Sequence, residues 1–204
     1  MQLRIGIVGA HCVGKTTLAL ALTRALGCDM IGEQIRESVK RFELLGYYTP
    51  DQMTASEWYP HLMFDIFINQ SQKEAHAKNG FISDRTTLDY YAYYDLLSCD
   101  APEIKTIIRD LFLSRALRGY DVFLYLPITF PLSGDNYRNE DAIFQHEVDS
   151  AIQLLLKQHT NVETIQSHTL SDRIDEALEI INRYENTSCN EVYLNQASHP
   201  KLPK

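Results

Sequence analysis

The chain has 204 residues, room for one domain with a full hydrophobic core, and its 45% hydrophobic and 23% charged content is that of a globular protein. With 19 Lys and Arg against 27 Asp and Glu the formal charge is −8, which argues against a broad nucleic-acid-binding face. No apolar run approaches the ~20 residues of a membrane span. The opening MQLRIGIVG is too short in its apolar part for a signal peptide, and the scattered Cys12, Cys28, Cys99 and Cys189 suit reduced thiols better than disulfides or zinc, so the expected location is the cytoplasm.

Five apolar stretches read as strands, each followed by helical sequence, with no internal repeat. Strand one is Leu3 to Val8, followed by a helix over 16–26 that Gly27 terminates. Strand two covers Asp29 to Ile31, and the spacing predicts a helix over 34–45. Thr54 and Glu57 form a capping-box pattern for a long helix reaching about Lys78. Strand three is Gly80 to Ser83, with helical sequence from Asp84 through Leu97 and another helix over 102–117. Strand four, Asp121 to Leu126, is closed by Pro127 and followed by a looser segment from Pro131 to Glu140. A helix over 141–158, a fifth strand near Val162 to Ile165 and a last helix over 171–185 complete a domain spanning 1–186, with 187–204 left as a polar tail. Alternation of this kind specifies an α/β fold: a single domain with a five-stranded parallel sheet and helices on both faces. Right-handed crossovers gather the strand C-terminal ends along one edge, where ligands bind.

At the end of strand one, Gly9-Ala10-His11-Cys12-Val13-Gly14-Lys15-Thr16-Thr17 satisfies G-x-x-x-x-G-K-[ST] between a strand and a helix. The glycines let successive amides turn inward as an anion nest, and the following helix adds its positive end. Lys15 supplies a point charge for β- and γ-phosphates and Thr16 a hydroxyl for Mg²⁺. His11 and Cys12 read as side chains on a loop whose backbone does the binding. A GTP-binding switch would need N-K-x-D after a strand, and the sequence has none.

Two further stretches carry a resemblance. Glu33-Gln34-Ile35-Arg36 follows strand two and Asp84-Arg85-Thr86-Thr87-Leu88-Asp89 follows strand three, with Arg138-Asn139-Glu140-Asp141 before a later helix. In this order and spacing, over roughly residues 3–183, the chain resembles the small phosphate-loop kinases of nucleosides and nucleotides, and within them the nicotinamide-riboside-kinase-like branch grouped with AAA-type ATPases. The resemblance implies ATP and Mg²⁺ as cofactors and a small-molecule phosphoryl acceptor.

Phosphoryl transfer needs a cation, a positioned hydroxyl and positive charge around the moving group. Asp84 is therefore expected to share Mg²⁺ with Thr16, and Glu33 to accept the acceptor's proton or orient its hydroxyl. Arg85 and Arg36 are candidates for an anionic acceptor or the transferring phosphoryl, while the resemblance makes 127–141 a lid carrying Arg138. The catalytic set is thus Lys15, Glu33, Asp84 and Arg138, with Tyr47 and Trp58 joining Glu33, Arg36 and Arg85 on the acceptor side. Competing readings stand beside each: Asp84 as a helix N-cap, Glu33 as a solvated turn residue, Arg36 as a helix-face ion pair, and Arg138 on a plain surface loop. Tyr90 to Tyr94 read first as packing; Tyr47, Tyr48, Trp58 and Tyr59 divide between packing and stacking on a ring. Two rival functions are a kinase of hydroxymethylated bases in DNA and a non-catalytic ATP- or GTP-binding regulator. Acceptor identity and oligomeric state, a homodimer included, stay open at this level.

Overall fold

A computed structural model describes residues 3–46, 57–129 and 142–197, with side chains in the last helix as far as 187. The elements run β1 (Arg4–Val8), α1 (Lys15–Leu26), β2 (Asp29–Ile31), α2 (Ile35–Leu44), α3 (Tyr59–His76), β3 (Phe81–Asp84), α4 (Thr87–Leu97), α5 (Pro102–Gly119), β4 (Val122–Tyr125), α6 (Ala142–Leu156), β5 (Val162–Thr164) and α7 (Leu170–Ala197). The five strands form one sheet in the order β2-β3-β1-β4-β5, every neighbouring pair parallel. This is the expected α/β architecture.

Strand β1 is central because it is apolar on both faces. Ile5, Ile7 and Val8 are fully buried, with Ile5 in register with Ile82 on one side and Val122 on the other. Each such side chain contributes about 1.5–3 kcal/mol on burial. Leu18 and Leu22 of α1 and Ile180 and Ile181 of α7 pack into this core. A second apolar cluster is built by helices: Phe42, Tyr59, Leu62, Met63, Ile66, Tyr90, Tyr91, Tyr94, Ile108 and Phe112. It holds α2, α3, α4 and α5 together, and α2 carries the Glu33 loop that follows β2.

Helix ends follow local chemistry. Gly14 (φ 94) and Gly27 (φ 63) bracket α1 in left-handed conformations that glycine adopts without strain. Pro60 lies in the first turn of α3 and Pro102 in that of α5, where a missing N–H costs nothing. The N-cap of α4 is Thr86, in a capping box with Asp89. Helix α4 therefore starts later than the sequence pattern suggests: Arg85 takes φ 81 and Thr86 is extended, which leaves Asp84 inside β3. Helix α7 runs to Ala197, well beyond the expected 185. Thr54, half of the expected capping box, lies outside the described residues.

Candidate functional site

The loop at the end of β1 enters with Gly9 at φ 155, where a Cβ would stand 2.5 Å from the Leu126 carbonyl oxygen. Only glycine fits there without moving β4. Cys12 also has positive φ (62), a strained setting for a residue with a Cβ, and Val13 drops its side chain into the core. Cys12, Gly14, Lys15, Thr16 and Thr17 line one wall of a pocket whose other wall is Glu33, Asp84 and Arg85. The ends of β1, β2 and β3 thus meet in one cleft.

Lys15 is buried and its ammonium donates to the carbonyls of Gly9 (2.7 Å) and Ala10 (2.5 Å). Burial, aided by the nearby Arg85 cation, lowers its pKa to about 7; Asp89, Asp84 and Glu33 oppose that shift. The Thr16 hydroxyl donates to Asp84 Oδ2 at 2.6 Å. Asp84 is 3% exposed and is not the cap of α4, so its carboxylate is held toward the loop rather than used by the helix. Two hard oxygen donors this close suit Mg²⁺, which takes one or two protein oxygens and completes its shell with phosphate and water. Among the described residues no group of three or more His, Cys, Asp or Glu side chains could hold a metal ion.

Glu33 sits between two arginines: its Oε1 pairs with Arg85 Nε at 2.6 Å and its Oε2 with Arg36 Nε at 3.2 Å. Burial alone would raise its pKa, yet Arg85, Arg36 and Lys15 together hold it below the usual carboxylate value. Arg85 is nearly buried and lies 5.2 Å over the Tyr93 ring. Its pKa rises well above the ordinary value: burial opposes, but Tyr93, Glu33, Asp89 and Tyr90 outweigh it. Arg36 is more exposed, and its (i, i+3) pairing with Glu33 satisfies the helix-face reading as well as the acceptor-side one.

Of the expected acceptor-side aromatics, Trp58 packs against the second apolar cluster and is not among the pocket-lining residues. Tyr59 is buried in that cluster 5.3 Å from the ring of Tyr94. Tyr90, Tyr91 and Tyr94 are core residues too, Tyr90 accepting the Gln34 N–H with its phenol oxygen at 2.8 Å. Tyr47, Tyr48 and Arg138 lie outside the described residues.

A family model described as an AAA domain matches residues 4–173, most of the chain. The chain belongs to this AAA-domain family. None of the curated proteins matches it in sequence. Among solved structures, the AAA-domain chain is similar in fold to NadR in complex with NAD and AMP-PNP, with TM-score 0.64 and 18% identity over 90% of this chain. It spans about half the length of that protein, 49%. Thymidylate kinase from Candida albicans matches with TM-score 0.64 and 18% identity over 90% of this chain and 92% of its own. Deoxyadenosine kinase from M. mycoides with bound dATP matches with TM-score 0.63 and 18% identity over 88% and 99%. At these identities the likeness establishes the shared phosphate-loop fold.

Four residues hold the AAA-domain loop through contacts that the sequence does not spell out. The buried Asp89 accepts the Gly9 N–H at 3.1 Å. Tyr93 accepts the His11 N–H at 3.1 Å while its hydroxyl lies 2.9 Å from His11 Nδ1. Gln145 of α6 donates to the His11 carbonyl at 2.6 Å, and Arg173 of α7 to the Val13 carbonyl at 2.8 Å. Asp89 had a local signal, as the last residue of D-R-T-T-L-D. Gln145 and Arg173 act from 134 and 160 residues away, with no motif to mark them.

Proposed function

We propose that this protein is an ATP- and Mg²⁺-dependent phosphotransferase for a nucleoside, nucleotide or similar small hydroxylated acceptor. The observation that carries the reading is the convergence, across one cleft, of the Thr16–Asp84 pair on the donor side with the Glu33–Arg85 pair on the acceptor side. The loop amides and Lys15 would hold the ATP phosphates, while Thr16 and Asp84 would hold Mg²⁺, which supplies charge neutralisation along the phosphate chain. Glu33, kept ionised by two arginines, orients the acceptor hydroxyl and takes its proton; Arg85 and Arg36 face the transferring group. Arg138 joins the proposed closure on the strength of the family resemblance, and Tyr47 and Trp58 join the acceptor side as aromatics flanking its loop, Trp58 from its place against the second apolar cluster.

The kinase names borne by the similar structures support this reading without deciding the acceptor. So does the overall negative charge, which disfavours DNA as the substrate. Among the described residues no helix is long and apolar enough to cross a membrane.

The test is a thermal-shift panel of nucleosides and mononucleotides with a non-hydrolysable ATP analogue and MgCl₂, followed by turnover assays on the hits. Acceptor-dependent stabilisation, and product only with that acceptor, is the expected result. Binding of ATP or GTP with no acceptor response anywhere in the panel would favour a nucleotide-binding regulator and sink the kinase reading.

A further inference from the structure

Two side chains from the C-terminal half grip the outer edge of the phosphate loop. Arg173, in the first turns of α7, is 3% exposed. Its guanidinium donates to the Val13 carbonyl (2.8 Å), the Ser167 carbonyl (2.8 Å) and the Thr129 hydroxyl (2.5 Å). It thereby ties the loop after β1 to the segments that follow β4 and β5. A Cβ on Gly14 would lie 3.2 Å from Arg173 Nη1, so the cation sits directly behind the loop. Gln145 of α6, 2% exposed, holds the His11 carbonyl at 2.6 Å in the same manner.

In a trans peptide the C=O and the N–H point in opposite directions. Drawing the Val13 carbonyl toward Arg173 therefore aims the Gly14 N–H the other way, and holding the His11 carbonyl does the same for Cys12 N–H. Gly14 and Cys12 line the pocket, whereas Arg173 and Gln145 do not. A charged donor on the carbonyl also polarises the peptide and makes the opposite N–H a stronger donor to an anion.

We infer that Arg173, with Gln145 as its neutral partner, is a positioning residue for the donor polyphosphate, aiming and polarising the loop amides from behind and adding a buried positive charge to the anion site. The α7 clamp is itself braced: one turn on, Glu176 accepts the N–H groups of Gln166 and Ser167 at 2.9–3.1 Å, and Thr169 caps the helix by accepting the Asp172 N–H. Burial lowers the Arg173 pKa somewhat, with Glu176 opposing, but a guanidinium stays protonated at neutral pH.

The inference rests on the donor-loop half of the proposed function and not on any acceptor. Its test is the Kd of AMP-PNP with MgCl₂, measured by calorimetry well below each variant's unfolding midpoint. Arg173→Gln, which removes the charge, should weaken binding about tenfold or more, and Arg173→Lys should recover most of that loss. Gln145→Leu, removing a neutral donor, should weaken it about threefold. A residue that only braced the fold would lower the midpoint and leave the Kd alone, so a folded Arg173→Gln protein that binds within twofold of wild type overturns the inference. So does an Arg173→Lys protein as impaired as the Gln variant. If Arg173→Gln does not fold, Arg173→Lys and Gln145→Leu decide: a wild-type Kd in Gln145→Leu overturns it and a weakened one supports it. Failure of the wild-type chain to bind AMP-PNP would overturn the donor-loop reading as well.

Discussion

Asp89 serves two masters with its two oxygens: Oδ1 accepts the Gly9 N–H at 3.1 Å, while Oδ2 accepts the Thr86 N–H and hydroxyl at 2.8 and 2.9 Å. One fully buried carboxylate therefore caps α4 and fixes the first residue of the phosphate loop. Burial pushes its pKa up, against Lys15, Arg85 and the two amides that favour the charged form. Asn at this position has a single acceptor oxygen, so either the cap or Gly9 is left facing an NH₂ group. Asp89→Asn should destabilise the fold by about 1–3 kcal/mol and weaken AMP-PNP binding together. Urea denaturation and calorimetry on the same protein check both, and a loss of stability with unchanged nucleotide affinity would detach Asp89 from the loop.

Glu33 and Arg85 are a nearly buried ion pair at the heart of the proposed acceptor side. Glu33→Gln keeps the shape and removes the charge that would take a proton, leaving Arg85 over the Tyr93 ring and in the field of Asp89. Turnover with the acceptor found in the panel should fall about 10²–10⁴-fold, while AMP-PNP affinity changes little. An unchanged kcat would remove Glu33 from the chemistry.

How far the sequence foretold this site depends on how local each device is. The phosphate loop was legible because nest, lysine and hydroxyl must follow one another within nine residues. Glu33 and Asp84 were legible because a parallel sheet brings strand ends to one edge, and the structure removes the cap alternative by giving that role to Thr86. The backbone at Arg85 was not legible: its φ of 81 delays α4 and turns its side chain toward Glu33. Most of the tyrosine-rich α4 turned out to be packing, with Tyr93 the exception that reaches both Arg85 and His11. The length of α7 was missed because its polar end resembled a tail, yet no Gly or Pro interrupts it before Pro200. Arg173 and Gln145 were invisible since tertiary packing alone brings them to the loop.

The Thr16–Asp84 contact predicts a specific dependence on Mg²⁺. Thr16→Val removes a hydroxyl at an exposed helix start but leaves the buried Asp84 oxygen without that donor, so stability should fall by about 1–3 kcal/mol. In that variant and in Asp84→Asn, the Mg²⁺ concentration for half-maximal turnover should rise about tenfold or more, and kcat should fall. A magnesium titration at fixed ATP reads this directly. Two variants with wild-type Mg²⁺ curves would place the metal elsewhere.

Lys15 makes the donor site sensitive to pH. Burial first, and Arg85 second, bring its pKa from 10.5 down to about 7. Between those two values the unfolded chain holds a proton that the folded chain lacks, so this residue makes stability rise with pH across that window. Below it both states are charged and the contribution is constant. Polyphosphate favours the ammonium, so the bound pKa is higher and binding above neutrality must take up a proton. At about pH 8 the calorimetric enthalpy of AMP-PNP binding should therefore differ between buffers of different ionisation enthalpy, and affinity should fall by up to about tenfold per pH unit. Lys15→Arg, whose guanidinium never releases its proton in this range, should abolish the buffer dependence whatever it does to affinity. A wild-type enthalpy independent of buffer at that pH would mean that Lys15 is already charged in the unliganded cleft.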